Sequence, residues 1–367
     1  MTGVEDRLRR ELQGMADRVE VSADSWTAIT RRTARRARVR RGAGIAAAAA
    51  AVVTVVALVS VGDDPDTTVA TDATWSVDDL QVRDRASVGT ATGIDRPLRR
   101  THLASDGGAL WFTRLGTGEV GRFDPVTAAV TAVVDTGMSV VGVVAAPGGV
   151  WAEAEGYAEV ARIDRATETV RRVGLSDGGA SRPAAGGIAF GDRAIWVPVT
   201  GGGLARIDVE TEAVEVVELG VQLRSVTVAA GDLWGVGDDG AVVRVDGRRR
   251  AVTARTELGA GAYRVEHGDG QVWVLDTTQG DLVRLSPDLS TEDRIDVGAS
   301  ARDLAVGLSA VWVTDAIDGV VVVVDARSGE VRTEVEVGGR PNDVAVVGDE
   351  VWISDPDAGS LVSVVAR

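Results

Sequence analysis

The sequence predicts an all-β, seven-bladed propeller, and three observations carry that prediction. Seven tryptophans recur in step: Trp111, Trp151, Trp196, Trp234, Trp273, Trp312 and Trp352, at spacings of 40, 45, 38, 39, 39 and 40 residues. Each follows an apolar residue within a run of strand-formers, and a period near 40 is that of a blade of about four short strands. The seventh copy stops early at LVSVVAR, while VRDRASVG (82–89) matches VRTEVEVG (331–338) in pattern and length. Residues 82–89 are therefore expected to supply the missing outer strand and close the ring, which removes exposed edges.

Three pieces precede the propeller. Residues 1–41 read as a basic helical tail: Val4, Leu8, Leu12, Met15 and Val19 recur at helical spacing. Ser22, Asp24 or Ser25 can cap a second helix near Trp26, and Arg31 to Arg41 holds seven arginines in eleven residues. Residues 42–61 carry no charge and are long enough to cross a bilayer as a helix. The arginines on their N-terminal side place the tail in the cytoplasm and the rest outside the cell membrane. A cleaved signal peptide fits less well, because the charged lead is long and no small-x-small site follows; a soluble alanine-rich helix does not account for the flanking arginines. Residues 62–81, rich in Asp and Thr, read as an extracytoplasmic linker.

The repeats at 82–367 share one grammar. An apolar inner strand such as DVAVVG (343–348) comes first, then the Trp strand and a Gly or Asp turn. A third strand ends in Arg-x-Asp (122–124, 162–164, 206–208, 244–246), and an outer strand closes on Val-Gly or Leu-Gly. Alternation within each strand suits sheets packed blade against blade.

Composition narrows the function. Apolar residues make up 45%, enough for a substantial core. There is no Cys, which removes disulfides, thiol catalysis and cysteine-ligated metals. All 39 basic residues are Arg, and the net charge is −16 although residues 1–42 hold 11 Arg against 6 acids. So acidic a main body repels phosphate, which disfavours nucleic acid as a partner. No Gly-x-Ser-x-Gly, His-Glu-x-x-His or phosphate loop is present.

PNDVAVVGDEVWISDPDAGSLVSVV (341–365) resembles the repeats of the YVTN and NHL propeller group, with Trp where that motif often has Tyr. DGGALWFTRLGTGEVGRFDP (106–125) resembles virginiamycin B lyase-like propellers, and the likeness extends over 82–367. It implies a propeller; for function it implies little, because such propellers host lyases, scaffolds and sensors. The lyase resemblance implies His, acidic groups and a magnesium ion in the channel. This chain has only His102 and His267, on blades one and five, and no Glu-x-His pair, so that catalytic set does not carry over. The tail resembles those of actinobacterial single-span proteins, some linked to sigma-factor regulation.

Candidate sites are places where copies differ. Nine residues before each Trp stand His102, Gly142, Gly187, Ser225, Arg264, Asp303 and Asp343; one residue earlier stand Thr101, Val141, Gly186, Arg224, Tyr263, Arg302 and Asn342. Inner strands line a propeller's channel, so His102, Arg224, Tyr263, Arg264, Arg302, Asp303, Asn342 and Asp343 are expected at its mouth. Such a mixed polar ring suits a small polar or anionic ligand, although a polar mouth can also hold only water. Blade five departs most: Glu266-His267 replaces the apolar or small pair of other copies, offering a base or a divalent-cation ligand. The bland alternative for His267 is a histidine satisfied by neighbouring backbone. Asp276, Asp315 and Asp355 each follow their Trp by three residues and read as turn formers on one rim. Asp355-Pro-Asp357-Ala-Gly359 lacks the downstream Glu of a calcium loop and reads the same way. No cofactor or dedicated metal site is expected.

The reading is a membrane-anchored extracytoplasmic propeller that binds a protein, a cell-envelope component or a small polar ligand as a scaffold or sensor. The alternatives are a lyase or hydrolase using His267, Glu266 and a divalent cation, and a transmembrane signalling protein tied to sigma-factor regulation.

Overall fold

A computed structural model describes residues 80–88, 102–114, 117–154, 156–175, 183, 187–290 and 292–366. The expected tail (1–41), membrane helix (42–61), most of the linker, Thr101 and Gly186 lie outside these residues. Among the described residues no helix is long and apolar enough to cross a membrane.

The described chain forms seven four-stranded antiparallel sheets. In six of them the strands follow one another in sequence, from Leu103–Ser105 at the inside of blade one to Val331–Glu336 at the outside of blade six. The seventh is composite. Its inner three strands are Val344–Val347, Glu350–Asp355 and Ser360–Ala366, and its outer strand is Leu80–Ser87. The closing strand pairs antiparallel with Ser360–Ala366, Leu80 opposite Ala366 and Ser87 opposite Ser360. It begins two residues before the motif that revealed it. Each inner strand packs against the next, and that of blade seven returns to that of blade one, so the sheets form a ring.

The Trp residues are scaffold. Those of blades one, two, three, five, six and seven are fully buried between blades. The Arg of Arg-x-Asp lies directly across the sheet from Trp, as Trp111 opposite Arg122 and Trp151 opposite Arg162. The guanidinium carbons of Arg122, Arg162, Arg206 and Arg284 stand 5.6–6.0 Å from the indole centroids, in cation–π range. The Asp of the motif turns the chain: Asp124, Asp164, Asp208 and Asp246 each accept two backbone N–H groups from the turn that follows.

Core volume is conserved by compensation. Blade one places Phe112 opposite Gly121, whereas blade four places Gly235 opposite Val243. A Cβ on Gly121 would meet the Phe112 ring at 2.1 Å.

Candidate functional site

The first residues of the inner strands stitch neighbouring blades together. Asp303 Oδ2 of blade six accepts the Val344 N–H of blade seven at 3.3 Å. Asp343 Oδ1 of blade seven accepts the Leu103 N–H of blade one at 3.2 Å. Ser225 Oγ of blade four accepts the Val265 N–H of blade five at 3.2 Å. The same aspartates are gripped from behind: their backbone N–H groups donate to Thr314 Oγ1 and Ser354 Oγ, both at 3.1 Å. Asp303 and Asp343 are 4% and 3% exposed, and each has a second oxygen left for other partners.

Those oxygens meet charge. Arg264 Nε donates to Asp303 Oδ1 at 2.6 Å, and His102 Nδ1 lies 3.1 Å from Asp343 Oδ2. Asp343 also shares a side-chain hydrogen bond with Asp303. Glu266 completes the group, its Oε2 accepting the Thr227 hydroxyl at 3.2 Å. One guanidinium thus faces three carboxyls, with an imidazole at the edge.

Electrostatics follow from that imbalance. Burial lifts the Asp303 carboxyl to about 6, with Asp343 adding to the rise and Arg264 and His102 opposing it. Burial likewise lifts Asp343 to about 6 against Arg264, Asp303 and the two backbone donors. Burial lifts Glu266 to about 7; Arg264 opposes this, and Asp303 and Asp343 repel further charge. For Arg264, burial disfavours the cation, but the carboxyls outweigh it and hold the guanidinium firmly protonated. A buried group carrying more carboxyls than cations is favourable only while it keeps protons or receives positive charge.

The expected mouth ring therefore divides. His102, Arg264, Asp303 and Asp343 converge, and Glu266 joins them. Arg224 instead binds Asp238 through Nε at 3.0 Å, and its guanidinium lies 6.0 Å from the Tyr263 ring centroid. Arg302 is exposed to solvent. The Asn342 backbone bridges Ser354 and Thr314, its N–H donating to Ser354 O and its carbonyl accepting Thr314 Oγ1 at 2.9 Å. His267 stacks on Trp234, centroids 4.7 Å apart and 20° between planes. Burial alone lowers its basicity, and no carboxylate contributes. The expected Glu266-His267 pair is thus split: Glu266 belongs to the charged cluster and His267 to an aromatic stack. Among the described residues no group of three or more His, Cys, Asp or Glu is arranged to hold a metal ion.

Sequence reasoning missed Glu153. It lies opposite Gly142, is 0% exposed, and its Oε2 accepts the Gly187 N–H of blade three at 3.1 Å. Gly142 occupies the place of Ser225, Asp303 and Asp343 but has no side chain, and Glu153 performs the stitch from the adjacent strand. The signal was present in the sequence: an acid inside a Trp strand, opposite a glycine.

No protein-family model and no curated protein sequence matches the chain. Among solved structures, one of a streptogramin B lyase superposes with a TM-score of 0.64 at 13% identity, covering 78% of this chain and 98% of that one. BamB from Moraxella catarrhalis superposes with a TM-score of 0.53 at 17% identity, covering 72% of this chain and 84% of that one. Likeness at these identities is one of fold.

Proposed function

We propose that this chain is a binding module: a membrane-anchored, extracytoplasmic propeller whose channel mouth receives a small polar molecule carrying a protonated amine or comparable donor. The observation that carries this reading is the excess of carboxyls around Arg264. The guanidinium is spent on Asp303, which favours a cationic group over the anion that the sequence suggested. The stitches made by Asp303 and Asp343 hold the cluster in place, which limits the ordering cost of binding. The anchor rests on the arginine cluster and the uncharged stretch 42–61, and protease accessibility in intact cells tests it. The fold shared with BamB also suits a protein partner on the broad faces of the ring.

The test is a thermal-shift series on the full chain between pH 6 and 8 with small amines, amino acids, sugars and carboxylates. Amine-bearing compounds are expected to raise the melting temperature, and Glu266→Gln to weaken the effect. A panel in which only carboxylates stabilise would refute the reading.

One observation favours a second reading, lyase-like catalysis. A Glu266 carboxyl near 7 is placed in the range of a general base. Conversion of a streptogramin B followed by chromatography, with loss in Glu266→Gln, would establish it; no conversion by the wild type would remove it.

A further inference from the structure

Each blade ends in an outer strand, and the last residue of that strand is usually an acid. Asp135, Glu218, Glu257, Asp296 and Glu336 hold this position in blades one, three, four, five and six. Charge on an open sheet edge discourages pairing with another chain. Blade seven has Ser87 there, and blade two has Gly174. Blade two departs further. Its outer strand, Val170–Gly174, holds two arginines and no acid, whereas each of the other six outer strands holds at least one acid.

The backbone of this strand is open to a further strand. Leu175 N–H donates to Ala158 O at 2.9 Å, and Thr169 O accepts the Asp164 N–H at 3.0 Å. Residues 169, 171, 173 and 175 therefore turn their backbone groups into the sheet, and Val170, Arg172 and Gly174 turn theirs outward. Among the described residues no strand pairs with that edge. Beside it runs an open groove of about 550 Å³, between this strand and the outer hairpin of blade three. Its lining joins Arg172 and Glu212 to the half-buried Val214 and Val216. Gly174 is exposed, and a Cβ there would meet nothing within 4 Å. The two arginines sort by face. Arg171, toward blade three, is held by Glu212 Oε2 at 2.9 Å. Arg172 reaches the other way: its Nη2 donates to Thr136 O at 3.3 Å and Gly137 O at 3.2 Å. The Glu159 carboxylate stands 3.9 Å from Arg172 Nη1, and the Arg172 side chain stays 47% exposed.

We propose that the outer edge of blade two is a docking site for an extended segment of a partner protein, in which acidic and β-branched residues alternate, added as a fifth strand of the blade. The outward backbone groups of Val170, Arg172 and Gly174 supply the ladder, the usual basis of strand addition. Successive side chains of the added strand face opposite sides. Those toward blade three lie over Val214 and Val216, which favours β-branched residues. Those on the other side stand beside Arg172, which favours carboxylates. The same segment would meet an acid at the end of the outer strand in five sister blades, and Gly174 removes that repulsion here. The site lies on the circumference of the ring and uses none of the residues of the channel mouth.

The test is fluorescence anisotropy of a labelled peptide, acetyl-TVEVEVT-amide, titrated with the full chain, with acetyl-TVKVKVT-amide as its control and amide hydrogen exchange read by NMR. Saturable binding of the glutamate peptide is expected, several-fold tighter than that of the lysine peptide, with slowed exchange of the Arg172 and Gly174 amides. Gly174→Pro removes one outward donor and leaves the inward ladder intact, so it should abolish binding with little change in melting temperature. Gly174→Glu, which restores the acid of the sister blades in open space, should weaken binding several-fold. No saturable binding, equal binding of the two peptides, or binding without slowed exchange at Arg172 and Gly174 would each overturn the proposal. Self-association of the chain that Gly174→Pro removes would give the edge to a second copy and overturn it too. Glu266→Gln should leave the titration unchanged, which separates this site from the channel mouth.

Discussion

Replacing Glu266 with Gln tests the electrostatics of the channel mouth most directly. The amide oxygen can still accept the Thr227 hydroxyl, so the substitution removes charge and little else. In the native ring the Glu266 carboxyl titrates at about 7 instead of the ordinary 4.5. Between those values the folded chain holds a proton that the unfolded chain has released, so stability falls as pH rises. The stabilisation is fully present below about pH 4.5 and is lost as pH passes through about 7. A gap of this size corresponds to roughly 3 kcal/mol, or about 6 °C in melting temperature for a large domain. Asp303 and Asp343 titrate in the same direction and are present in both proteins, so the difference between the two profiles reports Glu266 together with its coupling to them. The assay is thermal or urea unfolding of wild type and variant from pH 4.5 to 8.5. The variant is expected to gain on the wild type from about pH 4.5 to about pH 7 and to level off above that. Parallel profiles would mean that Glu266 is ionised freely in the fold, and the account of the cluster would fail.

Three further outcomes follow from the packing. Gly121→Val should cost about 1–3 kcal/mol or more by overpacking against Phe112, and Phe112→Val in the same chain should recover much of it by recreating the Val313–Val322 pair of blade six; denaturant midpoints measure both. Glu153→Ala should cost about 1–3 kcal/mol by orphaning the Gly187 N–H, with Glu153→Gln closer to wild type in the same assay. Deleting 80–87 should lower the melting temperature more than any of these point changes, because it strips the outer strand from blade seven.

The architecture was legible because it repeats. Seven copies of one strand grammar averaged out local ambiguity, and the truncated last copy pointed to its own missing strand. The site was only partly legible, for a reason of strand geometry. Successive residues of an extended strand face opposite sides, so neighbours in sequence such as Glu266 and His267, or Arg302 and Asp303, cannot both enter one cluster. Irregular pairing between Ala262 and Arg264, and between Ala301 and Leu304, then decides which one does. That irregularity leaves no mark in the one-dimensional pattern. Glu153 was hidden differently: its role depends on an absence, the bare Gly142 across the ladder.

The composite seventh blade has a consequence for how the molecule comes into being. Blades one to six are each made from consecutive strands and can form in the order in which the chain is synthesised. Blade seven cannot, since Arg83 and Glu350, joined at 2.9 Å, are 267 residues apart in the chain. The first strand must wait, unpaired, while nearly the whole domain is built, and closure is then one late event with the entropy of a very long loop against it. The same junction is where an intact ring would part first under a pull on residues ahead of Leu80. Peeling Leu80–Ser87 away breaks one strand pairing and leaves six blades whole, so the ring behaves as a bracelet with a single clasp.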